Sequence, residues 1–355
     1  MTRRNNLLLN VLFLGTTTLL LVLPQSIDAF TPVLIGGFNF KFPWDNDESS
    51  SDSSSSSAAL QPGDTIAVIG ASGNVGKLVA LRLSDTYKVN GVVRSTSPEL
   101  EEFFEGRDNP ITLYESDLLE ELENGGGTTL APALQSANAI IICTGTTAFP
   151  TEAWSKSGEF SVTDEVIQAL LSNRFSVKAA IQDLDALGLN TPNNVDDRAN
   201  ALVLDTWESV GKARKKRVIL LSSIGVQRRT AMPFPILNAC GVLDAKAAAE
   251  EGLIATAERL GFSYTIVRPG QLFGGPYDNN YYLGTLFQLD KDAKTQDVDV
   301  GRGDELLGDT LRSTLAEVTA MVCEGDCARD MDFAAVNVKG DVPTAEEVQE
   351  RLQAL

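Results

Sequence analysis

The sequence predicts an α/β fold: a doubly wound parallel sheet in a single domain that carries one inserted segment. Short, continuously apolar runs recur along residues 63–355, amphipathic patterns separate most of them, and a glycine-rich turn follows the first run. Continuous apolar runs are typical of strands buried on both faces, and repeated strand–helix units build a parallel sheet that helices cover. The chain shows no internal repeat.

The expected elements follow one another along residues 63–355. The strands are expected at Thr65–Ile69, Val89–Val93, Ile111–Tyr114, Ala139–Cys143, Val218–Leu221, Tyr264–Val267 and Phe333–Val338. Val75, Leu78 and Leu83 share one helical face, which predicts a first helix over 74–83. A closing helix is expected at 344–352.

Residues 157–195 interrupt this alternation. They hold two helical patterns, near Val166–Leu171 and Val177–Leu187, and a turn at Asn190–Pro192. We interpret them as an insertion at the carboxyl end of the fourth strand, where ligand-facing loops lie. A lid over a ligand and an excursion without function both stay open.

Composition removes several classes of function. The chain has 48 acidic residues, 29 basic residues and no histidine, for a net charge of -19. Without an imidazole there is no Ser-His-Asp or Cys-His catalysis, and the four scattered cysteines predict no metal site. The acidic balance also argues against a nucleic-acid surface.

The first 62 residues predict a targeting region. Arg3 and Arg4 precede an apolar run over Leu7–Leu23, and Ala29 offers a small residue for cleavage, so residues 1–29 are expected to be a signal peptide. A membrane anchor is the alternative, although the run is short and contains threonines. Residues 30–62 are expected to be a transit or linker region, serine-rich and disordered over 49–57.

The Ala29–Phe30 junction resembles the boundary of bipartite plastid presequences in algae with secondary plastids. The acidic residues of the segment that follows depart from an ordinary transit peptide. A plastid is therefore the expected destination, with the secretory pathway as the alternative. No membrane span is expected in the mature chain.

The turn after the first strand, residues 70–76, predicts a dinucleotide site. Gly70 allows a sharp turn, Gly73 lets the backbone approach a pyrophosphate, and Gly76 permits close packing of the helix. The amides at the start of that helix then face the phosphates. The other loop residues expected at the cofactor are Ser72, Asn74 and Val75. A purely structural glycine-rich turn is the alternative.

The residue that follows the second strand predicts which dinucleotide is bound. NAD-binding chains tend to carry an acidic residue there for the ribose 2′-hydroxyl. This chain has Arg94, whose planar guanidinium suits a 2′-phosphate. NADP(H) is therefore favoured over NAD(H), in a Rossmann-type sheet.

Several further motifs carry a family resemblance: Asp117-Leu118, Ile141–Pro150, Leu221–Val226 and Val267–Gly270. With the glycine loop and Arg94, they resemble the atypical short-chain dehydrogenase/reductases, most closely the plastid NAD(P)-binding proteins of the NmrA-like branch. The resemblance covers residues 63–340 apart from the insertion.

The resemblance assigns roles to matching positions. It implies that Asp117 and Leu118 border the adenine, that Thr144 and Gly145 lie at the nicotinamide-side ribose, and that the nicotinamide end is lined by Pro269 and Gly270.

The resemblance also exposes a gap in the catalytic machinery. Such reductases use a tyrosine as acid/base, a lysine four residues later that binds the ribose, and a serine that polarises the substrate carbonyl. Lys246 matches the lysine, but Val242 stands in place of the tyrosine and cannot transfer a proton. Ser222 and Ser223 are candidates for the hydroxyl. A substitute phenol is sought in the loop after the sixth strand, at Tyr277, Tyr281 or Tyr282, where aromatic pocket walls are the simpler interpretation.

Two functions follow. One is an oxidoreductase that passes hydride to an unidentified apolar or carbonyl substrate. The other is a non-catalytic NADP(H)-sensing or assembly protein of the plastid, with thylakoid or envelope complexes as partners. Cys323 and Cys327, on a loop after a helix ending near Met321, are either a redox pair or, more simply, free thiols.

Overall fold

The apolar runs pair into an eight-stranded sheet, described here from a computed structural model. The structure describes residues 59–107, 109–158, 160–274 and 295–355. The presequence, the serine-rich run and Tyr277, Tyr281 and Tyr282 lie outside the described residues, so the predictions made for them stay predictions.

The sheet runs in the order β3-β2-β1-β4-β5-β6-β10-β8, and β7 pairs with β9 in a separate two-stranded sheet. The strands are β1 (Thr65–Ile69), β2 (Lys88–Val93), β3 (Ile111–Glu115), β4 (Ala139–Ile142), β5 (Arg217–Leu221), β6 (Ser263–Pro269), β7 (Gln271–Phe273), β8 (Asp297–Arg302), β9 (Asp309–Leu311) and β10 (Met331–Val338). The expected α/β class and the expected strands are confirmed, with boundaries shifted by a residue or two.

The sheet is mostly parallel, as expected, and one edge strand that was not predicted runs antiparallel. β8 runs antiparallel to β10, while the other neighbours in this sheet are parallel. The sequence of β8 alternates Asp and Val at an edge, where only Val298 is fully buried. An edge strand with one exposed face alternates in polarity, so it lacks the continuous apolar run that marks the central strands.

Helices cover both faces of the sheet. They are α1 (Gly76–Leu83), α2 (Pro98–Phe104), α3 (Leu118–Asn124), α4 (Ala131–Gln135), α5 (Thr163–Ser172), α6 (Val177–Ala186), α7 (Ala199–Val210), α8 (Phe234–Leu237), α9 (Val242–Leu260), α10 (Arg312–Glu324) and α11 (Ala345–Gln353). Because α10 continues to Glu324, Cys323 lies in this helix and not, as expected, on a loop after it. No helix within the described ranges is long and apolar enough to cross a membrane.

The main core lies between the sheet and the helices α4, α7 and α9. The ring centroids of Trp207 and Phe262 lie 5.3 Å apart within it, with the rings tilted at 57°, against buried residues of β1, β4 and β5. The packed region begins slightly before residue 63, since Leu60 is buried and the Lys216 ammonium binds both the Ala59 carbonyl and the Asp64 carboxylate.

The segment between β4 and α7 contains α5 and α6, where helices were expected. These two helices pack on each other around a small apolar cluster of their own, which includes Trp154, Ala180 and Leu184. Trp154 also donates its indole N–H to the Thr147 carbonyl at 3.0 Å. Through Trp154, this contact ties the apolar cluster of the inserted segment to the loop after β4, at the carboxyl edge of the sheet.

Candidate cofactor site

The strand order reverses between β1 and β4, and this reversal opens a crevice at their carboxyl ends. The loops that leave the two strands come together there. A Cβ atom on Gly70 would lie 3.3 Å from Thr144 Cγ2 and 3.4 Å from the Cys143 carbonyl carbon. The expected pyrophosphate loop and the expected ribose loop are therefore neighbours.

The glycine loop is held in a tight conformation. Gly70 has φ +81° and, with Ala71, donates its amide to the Val92 carbonyl at 3.0 Å. The Gly73 amide donates back to the Gly70 carbonyl at 2.9 Å. A Cβ on Gly76 would lie 2.1 Å from the Gly70 oxygen, so no other residue fits there without moving the backbone. Gly76 thus packs against the loop itself.

The amino end of α1 faces this loop. Gly73 is exposed, Ser72 and Asn74 are half-buried, and Val75 is buried, so the loop offers its backbone and two short polar side chains. Within the described residues no side chain caps α1. Uncapped amides at a helix amino end bind anions well, and this arrangement suits a pyrophosphate.

Arg94 follows β2 at the same edge of the sheet. Its side chain is 45% exposed; its Nε lies 3.6 Å from Asp117 Oδ2, and its Nη1 donates to the Lys156 carbonyl at 3.1 Å. Asp117 caps α3 by accepting the amides of Leu119 and Glu120. The structure thus places Arg94 beside Asp117, with Leu118 next along the chain, and part of the guanidinium remains open to solvent.

Lys246 reaches the loop after β4 from α9. Its Nζ lies 2.7 Å from Asp196 Oδ1. A Cβ on Gly145 would lie 3.4 Å from the same Asp196 oxygen and 3.6 Å from Lys246 Nζ. Thr144 donates its hydroxyl to Asn200 Oδ1 at 2.8 Å. Thr144, Gly145 and Lys246 are therefore brought together, as their expected role at one ribose requires.

Asp196 and Asn200 were not predicted as site residues from the sequence. Asp196 lies in a π-helical turn, Asn193–Arg198, and Asn200 follows four residues later on the same face. The (i, i+4) spacing of two polar residues at the start of an amphipathic helix was the available signal. Burial raises the pKa of Asp196, and the Lys246 ammonium works in the opposite direction.

The structure does not bring Ser222 into this group. Its hydroxyl donates to the buried Glu250 carboxylate at 2.5 Å, and Glu250 in turn holds Arg268 through bonds of 3.0 and 2.7 Å. Ser222 thereby belongs to a buried polar network. The Ser223 hydroxyl donates to the Ile224 carbonyl at 3.0 Å. Neither contact is with a residue of the cofactor group, so a catalytic role for either serine stays a prediction.

Val242 has a clear packing role. It is buried in a small cluster with Val226, Phe234, Leu243 and Ala247. This position therefore presents a well-packed aliphatic side chain and no group that could carry a proton.

Pro269 and Gly270 lie at the carboxyl end of β6, as expected for the nicotinamide end. Ile224 donates its amide to the Pro269 carbonyl at 3.0 Å, and Gly270 donates its own to Thr310 Oγ1 at 2.8 Å. A Cβ on Gly270 would lie 1.9 Å from the Gly308 oxygen. Close packing against the segment before β9 is thus one reason for glycine here.

The cysteines offer little redox chemistry. Cys323 and Cys327 are buried and free, and burial raises the pKa of Cys323 to about 12. A thiol that stays protonated at neutral pH is a poor nucleophile, so these two side chains are described best as packed thiols. Over the described ranges, no cluster of side chains suits a metal ion.

Comparison with known proteins bears on the fold and on cofactor binding. A family model described as NAD(P)H-binding matches residues 156–304. No curated protein matches the sequence.

Among solved structures, a putative NAD-dependent epimerase/dehydratase from Bacillus halodurans has a TM-score of 0.51 at 19% identity, over 81% of this chain and 100% of that one. The oxidoreductase ylbE from Lactococcus lactis has a TM-score of 0.48 at 18% identity, over 82% of this chain and 97% of that one. A wide-type short-chain dehydrogenase/reductase from Veillonella parvula in complex with NADP has a TM-score of 0.45 at 14% identity, over 79% of this chain and 98% of that one. The first of these supports the fold assignment. The matched family model supports binding of NAD(P)H by this chain.

Proposed function

We propose that the protein binds NADP(H) in preference to NAD(H) and acts as an oxidoreductase on a carbonyl or apolar substrate. The observation that carries the cofactor preference is Arg94. It follows β2, is nearly half exposed, and keeps guanidinium donors open beside Asp117. A guanidinium binds a phosphate through two parallel hydrogen bonds, which a ribose hydroxyl cannot match.

The described residues offer groups suited to the pyrophosphate and to the nicotinamide-side ribose of such a cofactor. The uncapped amino end of α1 would hold the pyrophosphate, and Lys246 would hold the nicotinamide-side ribose next to Gly145. When bound, the nicotinamide supplies or accepts the hydride. The chain's own contribution is to bind and orient, because Val242 offers no proton at the position of the usual phenol.

Replacement of Arg94 by Asp tests the preference. Loss of the phosphate contact and the reversed charge should weaken NADPH binding by about 10- to 100-fold, while NADH binding changes by less than about threefold. Nicotinamide fluorescence measures both affinities. Arg329→Asp is the matched control. Arg329 lies just before the amino end of β10, at the end of the strands opposite to Arg94, and pairs with Asp326. Equal losses of NADPH and NADH binding would refute the preference.

A second function, NADP(H)-dependent assembly with a partner in a plastid, is favoured by the surface of the inserted segment. The described segment exposes large apolar side chains, at Phe160, Ile167, Leu171, Phe175, Val177 and Leu187. Leu171 is 56% and Phe175 53% exposed. Apolar side chains gathered on one segment are typical of a protein-contact surface. The absence of a tyrosine at position 242 also favours this second, non-catalytic function.

Capture of partners from thylakoid and envelope membranes, with and without NADPH, tests this second function. The double variant Leu171→Ser with Phe175→Ser should lose a partner that the wild type retains. Met232→Ser is the control, because Met232 is 74% exposed but lies outside the inserted segment. If both variants retain the same partners, the inserted surface is not the contact.

A further inference from the structure

The inserted segment leads into a turn that several side-chain hydrogen bonds hold in place. Asp185, at the end of α6, accepts hydrogen bonds from the Thr191 hydroxyl and, at 3.1 Å, from Asn193 Nδ2. Asn194 donates its amide group to the carbonyls of Asp185 and Leu189, each at 2.9 Å. These bonds hold the π-helical turn Asn193–Arg198 at its entry. π-Helical turns occur frequently at functional sites.

Within this turn Asp196 points inward. Its carboxylate is 1% exposed and contacts two other elements: Lys246 Nζ of α9 at 2.7 Å and the Thr146 amide after β4 at 3.3 Å. Its backbone carbonyl accepts the Asn200 amide group at 2.7 Å, and Asn200 binds Thr144. Asp196 is thus bonded directly to α9 on one side and to the loop after β4 on the other.

The burial of this carboxylate needs an explanation. A buried carboxylate destabilises the fold unless it is paired, and removal of its partner leaves that desolvation cost uncompensated. Its pairing with Lys246 has a second effect. A lysine side chain has three donors on a flexible four-carbon stem, so without an anchor it samples many rotamers. Asp196 takes one donor and leaves the others beside Gly145, which has no side chain to block them.

We propose that Asp196 is a positioning residue for cofactor binding: it holds the Lys246 ammonium at the carboxyl end of β4, where the nicotinamide-side ribose would bind. The turn Asn193–Arg198, which follows the two helices of the inserted segment, then supports the site, since it carries Asp196. This inference rests on the proposed binding of NADP(H) and adds a residue that acts through Lys246.

A double-mutant cycle tests it, with the NADPH dissociation constant as the readout. Asp196→Asn and Lys246→Met should each weaken binding by about tenfold, which corresponds to the loss of one charge-assisted contact. If Asp196 acts only through Lys246, the double variant should match Lys246→Met within about twofold, because coupled residues are not additive. Asp197→Asn, in the same turn but half-buried, is the control and should bind like the wild type.

Asp196→Glu separates position from charge and serves if Asp196→Asn does not fold. The longer side chain keeps the carboxylate but shifts the ammonium, so binding should still weaken.

The outcomes are distinct. If the wild type does not bind NADPH, the proposed function fails first. If the wild type binds and both Asp196 variants bind equally well, only the positioning role is refuted. It is also refuted if Asp196→Asn weakens binding further in the Lys246→Met background, since Asp196 would then act through the fold.

Discussion

At the scale of single residues, two glycines show how the same residue type serves different ends. A Cβ on Gly76 would overlap the Gly70 oxygen at 2.1 Å, whereas a Cβ on Gly252, inside α9, would meet nothing within 4 Å. Gly76 is therefore needed for a close approach in the glycine loop. Gly252 only raises the conformational entropy of the unfolded chain.

Alanine at these two positions should have opposite effects. Gly76→Ala should lower the free energy of unfolding by about 1–3 kcal/mol, because the added methyl forces the backbone of the glycine loop to move. It should also abolish high-affinity NADPH binding. Gly252→Ala should raise the free energy of unfolding by up to about 1 kcal/mol, since alanine is the better helix former. Urea denaturation measures both, and equal effects would contradict the packing argument.

At the scale of elements, local sequence pattern predicted the central strands well and the edge poorly. β1, β4 and β5 are largely apolar runs that are buried on both faces, so their sequence pattern predicts them as central strands. β8 alternates polar and apolar residues and was not expected. The π-helical turn Asn193–Arg198 was not expected either. Its conformation depends on hydrogen bonds from Asp185 and on packing, for which helical periodicity carries no signal.

The inserted segment illustrates the same division. Its two helices were expected, and α5 and α6 are present. Whether the segment forms a lid or an idle excursion was left open. In the structure the segment has its own apolar cluster and leads into the turn that carries Asp196, and both interpretations of its role stay open.

At the scale of the whole molecule, buried carboxyl groups and the net charge of -19 together make stability depend on pH. Burial raises the pKa of Asp185, Asp196 and Asp197, so above their ordinary value near 3.9 the folded state binds protons more tightly than the unfolded chain. Their contribution to stability therefore falls as pH rises through this window. Repulsion among the surface carboxylates changes in the same direction.

We accordingly expect the melting temperature to rise as pH is lowered from 8 into the acid range in which these three carboxyls bind protons in the folded state but not in the unfolded chain. Below that range, protonation of carboxylates whose pKa is lowered, such as Glu208 beside Arg259, should reverse the trend. Added salt should flatten the part that comes from surface repulsion, because it screens exposed charges more than buried ones. Calorimetry across pH at low and high salt checks this. A melting temperature that falls steadily as pH is lowered from 8 into that acid range would contradict it.

The sequence by itself determined the α/β class, the glycine loop between β1 and α1, and the position of Arg94 at the end of β2. These features depend on residues close together in the chain, where periodicity and turn chemistry act directly. Only the tertiary structure decided which polar groups meet. Asp196 and Lys246 are 50 positions apart, and Ser222 and Glu250 are 28 apart. Their pairing is decided by the folded packing of α7, α9 and the sheet, because a buried charge or hydroxyl is stable only where the fold provides its partner.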